Sequence, residues 1–199
     1  MDHHHLRATA TASPYLRGLV AVPGGLLFVV AALGNWGWGP LRHPAAFLVV
    51  VACVAAACAV AGRYTRERVG RATPTRAQRV REGLVGVAGV ALMVGGSTLL
   101  RSRASWSLDL PVNAIPAMFA VHMLLYYEWL VGLRAHHRVV WGLLLAAGAF
   151  PVWDGADPSN VGLVLTGVAV SINGALDHRL LLRDLDPPAW PATGADRAG

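Results

Sequence analysis

The stretch "FAVHMLLYYEWL", residues 119 to 130, sets His122 and Glu128 inside an otherwise apolar run. A carboxylate in such surroundings is costly unless it is protonated, paired or hydrated, so it indicates either a functional site or a buried polar contact. Six residues at 100° each place the two side chains about 120° apart around a helix, which is poor geometry for a shared metal. His122 is therefore expected to be an interior, hydrogen-bonded histidine, and Glu128 carries the functional hypothesis.

Glu128 needs a partner, and the last apolar run of the chain offers two. Glu128 precedes Arg134 by six residues and Asn173 precedes Arg179 by six, so Glu128 and Asn173 are predicted at matching depth. Asn173 and Asp177 share one helical face at i, i+4 spacing. The sequence thus predicts an intramembrane polar cluster of Glu128, Asn173 and Asp177. The candidate catalytic residues are Glu128, Asp177 and His122.

The helices that position these residues are expected to cross a membrane. The chain has 199 residues, 55% hydrophobic and 14% charged, with a mean hydropathy of +0.48, which is too apolar for an ordinary soluble domain. Six apolar windows approach the length needed to cross about 30 Å of hydrocarbon. They lie near 16–35, 44–62, 83–100, 112–133, 139–153 and 160–178. The fifth is short and contains Pro151, so its end is expected to be broken, tilted or re-entrant.

We predict an all-α, polytopic integral membrane protein with about six transmembrane helices. The segment 1–15 is a short N-terminal segment, 16–185 is the transmembrane domain, and 186–199 is a tail expected to be disordered. With the amino terminus inside, fourteen of the seventeen Arg residues fall on the cytoplasmic side, and both termini are cytoplasmic. The absence of Lys favours a GC-rich bacterial gene, hence a bacterial inner (cell) membrane.

The segment 63–82 is predicted to be a basic cytoplasmic loop, with a helical lead into the third span from residue 75 onward. Together with the end of the last span, it is expected to contact anionic lipid headgroups or a partner protein. The contributing residues are Arg63, Arg66, Arg68, Arg71, Arg76, Arg79, Arg81, Arg179 and Arg183. Simple positive-inside anchoring explains the same residues without a ligand. Nucleic acid is not an expected partner, because the Arg residues lie between apolar runs.

Several chemistries have no motif in this sequence. It contains no phosphate-cradling loop, no nucleophile elbow, no metalloprotease helix motif and no paired Asp motif. Cys53 and Cys58 are five residues apart in an apolar run, about 140° around a helix, and are expected to be packing residues. No cofactor and no metal are predicted.

Three functions remain open from the sequence. The first is a non-catalytic accessory, assembly or transport-associated subunit that works with a partner membrane protein or as a homo-oligomer. The second is a secondary transporter or permease with Glu128 as its protonatable site. The third is a membrane-embedded lipid- or isoprenoid-modifying enzyme, with Glu128 or Asp177 as general acid and His122, Tyr126 or Tyr127 in support. The first is the leading hypothesis because the chain lacks catalytic motifs and long loops.

Overall fold

The computed structural model describes residues 18–69, 76–103, 113–150 and 157–185, and these ranges are helical with no strand. The six α-helices are α1 (Gly18–Asn35), α2 (Pro44–Val69), α3 (Arg76–Arg103), α4 (Ala114–Tyr126), α5 (Ala135–Ala149) and α6 (Pro158–Leu185). A 3₁₀ turn, Gly39–Arg42, lies between α1 and α2, and a π-turn, Tyr127–Val131, extends α4. The all-α prediction is confirmed. The predicted segments 1–15 and 186–199 lie outside the described residues.

Three of these helices contain segments that are long and apolar enough to cross a membrane, Gly18–Asn35, Pro44–Thr65 and Ser159–Arg183. A shorter apolar helix covers Ile115–Val131. The membrane class predicted from composition is supported by these lengths. Helix α5 has 15 residues and is thus about 22 Å long, less than the hydrocarbon thickness, and it ends before Pro151. The count of six spans and the orientation of the termini stay predictions.

The basic segment 63–82 is mostly helical, so the prediction of a loop is corrected for 63–69, whereas the predicted helical lead from residue 75 agrees with the start of α3. Helix α2 continues through Val69 and α3 already begins at Arg76, which leaves only 70–75 outside the described helices. Polar residues with good helix propensity continue α2 beyond its membrane-length segment, Pro44–Thr65, and form the first turns of α3. Near the end of α2, Arg63 forms an exposed ion pair of 2.9 Å with Glu67.

The other arginines of that segment divide into two groups. The side chains of Arg76, Arg79 and Arg81 are exposed on α3. Arg71 and the side chains of Arg66 and Arg68 lie outside the described part of the chain. The predicted headgroup contact of this segment therefore stays a prediction.

The closest helix packing joins α1 to α6. Gly18 faces Gly174 and Gly25 faces Gly167, an order of pairing that makes the two helices antiparallel. A β-carbon on Gly167 would lie 2.5 Å from the Gly25 carbonyl oxygen, so only glycine permits this approach of the two backbones. Such close contact fixes α6 as the central support of the bundle.

Helices α4, α5 and α6 enclose the main core of the described residues. Ala120, Tyr127, Trp141, Leu144 and Ala169 are buried there. Tyr127 stacks near Trp141, with ring centroids 6.3 Å apart, so aromatic packing joins the end of α4 to α5. This core places the π-turn, the first turn of α5 and the last turns of α6 at one end of the bundle.

That end also collects Arg134, Arg138, Arg179 and Arg183, and we call it the arginine-rich end. At the opposite end of the bundle, Asn35 links the end of α1 to the start of α6. Its side-chain amide donates a 2.9 Å hydrogen bond to Asn160. The Asn160 amide in turn donates to Asp157, at 2.7 Å. Polar contacts therefore fix α6 at both ends, and the candidate site lies at the arginine-rich one.

Candidate functional site: a buried carboxylate joining three helices

Asp177 on α6 is the centre of a buried polar network, and the residue is only 1% exposed. Its Oδ1 lies 2.8 Å from Nε2 of His136 and 2.8 Å from Nε2 of His137. Its Oδ2 accepts hydrogen bonds from the Tyr127 hydroxyl at 2.8 Å and from the Asn173 amide at 3.1 Å. Four side chains therefore surround one carboxylate, and both of its oxygens are occupied.

Tyr127 and Asn173 also contact each other. The Asn173 amide donates a 2.6 Å hydrogen bond to the Tyr127 oxygen, so the tyrosine accepts one bond and donates another. The Tyr127 ring stacks on the His137 ring with centroids 3.7 Å apart. Tyr127, Asn173 and His137 are all buried, which makes this network a rigid junction rather than a solvated surface.

The local backbone explains how α4 and α5 bring their residues to Asp177. The Gly132 N–H donates a 2.7 Å bond to the Tyr127 carbonyl, the five-residue spacing of a π-turn. Gly132 has φ +89°, a left-handed conformation that favours glycine and ends the helix there. The chain then turns into α5, whose first turn carries His136 and His137 against α6.

A backbone contact selects the tautomer of His137. The Arg134 N–H donates a 3.2 Å hydrogen bond to His137 Nδ1, so that nitrogen must be an acceptor. The ring proton of the neutral imidazole then sits on Nε2 and is donated to Asp177. His137 is thus oriented from both sides, by a backbone amide and by a carboxylate.

His136, His137 and Asp177 each offer one possible metal ligand atom, and these atoms lie within 4.8 Å of one another. His137 Nε2 carries the proton that is donated to Asp177. A metal could bind this nitrogen only if that proton left or moved to Nδ1. Nδ1 already faces the Arg134 N–H, so that rearrangement would break the backbone contact. The arrangement therefore fits a hydrogen-bond network better than a metal centre.

Two of the three residues in the predicted polar cluster meet, and the third does not. Asn173 and Asp177 are in contact on α6, whereas Glu128 is exposed and forms no hydrogen bond or ion pair within the described ranges. The prediction that Glu128 belongs to this cluster is wrong. The inward row of α4 includes Ala117, Ala120 and Tyr127, and Glu128 is turned about 100° beyond Tyr127.

His122 lies apart from this network. Its ring occupies the notch at Gly89 of α3, where a β-carbon would collide with the imidazole. One turn earlier on α4, Met118 occupies the equivalent notch at Gly96. His122 therefore has a packing position between α3 and α4 and does not approach Glu128 or Asp177 in this arrangement.

The sequence interpretation missed three members of the site, Tyr127, His136 and His137. A signal for the histidines was present, because His136 follows Arg134 by two residues just as Asp177 precedes Arg179 by two. On antiparallel helices those spacings place both groups at the same distance from the same membrane border. Tyr127 was named only as a supporting residue of the enzyme hypothesis.

Comparison with protein-family models, with curated proteins and with solved structures found no match to this chain.

Proposed function

We propose that the chain is a non-catalytic subunit of a larger membrane assembly, contacting its partner through the outer face of α4 and the π-turn. The observation that carries this proposal is the position of Glu128. Its carboxylate is exposed on an apolar helix and has no partner among the described residues. In a bilayer such a group is stabilised by a cation or hydrogen-bond donor from a neighbouring protein.

The surroundings of Glu128 support a protein contact. Trp129 is 63% exposed and Leu125 is 43% exposed, so an apolar and aromatic surface borders the carboxylate. Aromatic residues are enriched at protein interfaces, where they supply a large contact area. A partner helix with an Arg, Lys or amide donor at the depth of Glu128 fits this face.

The Asp177 network favours this function over the enzyme and permease alternatives. A general acid or a proton carrier needs a carboxylate that can reach a substrate or a water-filled path. Asp177 is almost fully buried, and donors occupy both of its oxygens. Its geometry suits a fixed junction that holds the α4–α5 hairpin against α6 and so presents the Glu128 face in one orientation.

The experiment is site-specific photo-crosslinking in the native membrane. A photo-reactive residue at Leu125 is expected to give one discrete crosslinked product, and the Glu128→Gln variant is expected to lose most of it. The same photo-reactive residue at Leu48, which is 66% exposed on α2, is the matched control away from the proposed face. A chain that leaves the membrane in mild detergent as a monomer, with no product from Leu125, contradicts the proposal.

A further inference from the structure

A second candidate binding site lies beside the Asp177 network, at the arginine-rich end, and shares His136 with it. A cavity of about 570 Å³ opens there between the first turn of α5 and the last turns of α6. It is lined by His136, Leu176, Arg179, Leu180 and Arg183. Its size lies within the range of small-ligand sites. Its three polar lining residues are all basic or imidazole groups.

The two guanidinium groups are available to a ligand. Arg179 and Arg183 are exposed and stand at i, i+4 spacing on one face of α6. Within the part of the chain that the structure describes, neither forms a hydrogen bond or an ion pair. Two unpaired guanidinium groups on one wall of a cavity form an anion site, and arginine binds phosphate oxygens in a bidentate manner.

His136 adds a third polar group with a fixed orientation to the lining of the cavity. Its Nε2 contacts Asp177, at 2.8 Å, so Nδ1 is the nitrogen left for a ligand in the cavity. His136 is also in the first turn of α5, where the positive end of the helix dipole favours an anion.

We propose that this cavity binds a phosphate group, either a phospholipid headgroup or a soluble phosphate ester, through Arg179, Arg183 and His136. Leu176 and Leu180 give the cavity an apolar wall next to the basic groups. A phosphate that carries an apolar or glycerol substituent fits such a mixed lining. The site lies on α5 and α6, so it does not depend on the partner proposed for Glu128.

The test uses the full chain in phosphatidylcholine nanodiscs with and without phosphatidic acid, and lipid binding is measured by native mass spectrometry. The Arg179→Gln/Arg183→Gln variant is expected to bind phosphatidic acid roughly 30-fold more weakly than the unmodified chain. The control is Arg42→Gln/Arg138→Gln, which removes the same charge from exposed positions that do not line this cavity. It is expected to reduce binding less than about threefold, because general surface attraction alone changes.

A second arm identifies the source of the phosphate. Glycerol phosphate is titrated into the chain in phosphatidylcholine nanodiscs, and saturable binding lost in the Arg179→Gln/Arg183→Gln variant supports a soluble ester. Selective retention of phosphatidic acid without glycerol phosphate binding supports a lipid headgroup. Equal losses in the two double variants, or binding of neither probe, overturn the proposal. Unchanged melting temperatures show that both variants are folded.

Discussion

The Tyr127 hydroxyl donates a 2.8 Å hydrogen bond to Asp177, which lies 50 positions later in the chain. Asn173 contacts both partners, at 2.6 Å and 3.1 Å, and so closes a triangle of three buried side chains. Each side chain in a closed triangle orients the other two, which makes their contributions cooperative. Because Tyr127 belongs to the π-turn and the others to α6, this triangle fixes the end of α4 onto the central helix.

Asp177→Ala is expected to lower the free energy of unfolding by about 3 kcal/mol, because it leaves several buried donors without their acceptor. Thermal unfolding of the purified protein in detergent measures the change. Glu128→Gln is the matched control, and it is expected to stay within about 0.5 kcal/mol because that side chain is exposed and has no partner among the described residues. If Glu128→Gln lowered the free energy of unfolding more than Asp177→Ala, Glu128 rather than Asp177 would be the buried structural carboxylate.

Tyr127→Phe is expected to cost about 1.5 kcal/mol, since it removes one donor from Asp177 and one acceptor from Asn173 while the ring keeps its stacking on His137. A double-mutant cycle with Asn173→Ala measures the coupling between the two residues. The double variant is expected to lose less stability than the sum of the single variants, by at least about 0.5 kcal/mol. Strict additivity would show that the triangle is not a cooperative unit.

Gly167→Ala is expected to destabilise the protein by about 2 kcal/mol, because the added β-carbon meets the Gly25 carbonyl and must push α1 away from α6. Gly86 is the matched position, since a β-carbon there meets nothing within 4 Å. Gly86→Ala is expected to be neutral or to stabilise α3 by up to about 1 kcal/mol. Thermal unfolding of both variants checks the contrast, and similar effects would argue against the close α1–α6 contact.

Zinc is expected to leave the thermal midpoint of the protein unchanged, because the Arg134 N–H holds His137 in the tautomer that donates to Asp177. The measurement is thermal unfolding with added zinc and with a chelator. A zinc-dependent rise in the midpoint that is lost in His137→Gln would mean that the three ligand atoms form a metal centre after all.

The sequence predicted the helical class and the contact between Asn173 and Asp177, because both follow from helical periodicity within one segment. It could not place Glu128, since the inward face of α4 depends on which neighbours that helix packs against. Glu128 and Tyr127 are adjacent in the sequence, so local spacing alone could not decide which of the two side chains faces α6. The histidines were missed for a related reason. Their role depends on contacts between α5 and α6, which no periodicity within either helix encodes.

The orientation of the protein in the membrane can also be tested. The arginine asymmetry of the sequence predicts that the arginine-rich end faces the cytoplasm. The test is cysteine accessibility in cells, in a chain with Cys53 and Cys58 replaced by Ala. A membrane-impermeant maleimide is expected to label Trp38→Cys in intact cells, since Trp38 is 60% exposed between α1 and α2. Arg79→Cys, near the start of α3, is expected to react only after the membrane is permeabilised. The opposite labelling pattern would place the Asp177 network and the proposed phosphate cavity outside the cytoplasm. Phospholipid headgroups could still reach the cavity there, but cytoplasmic phosphate esters could not.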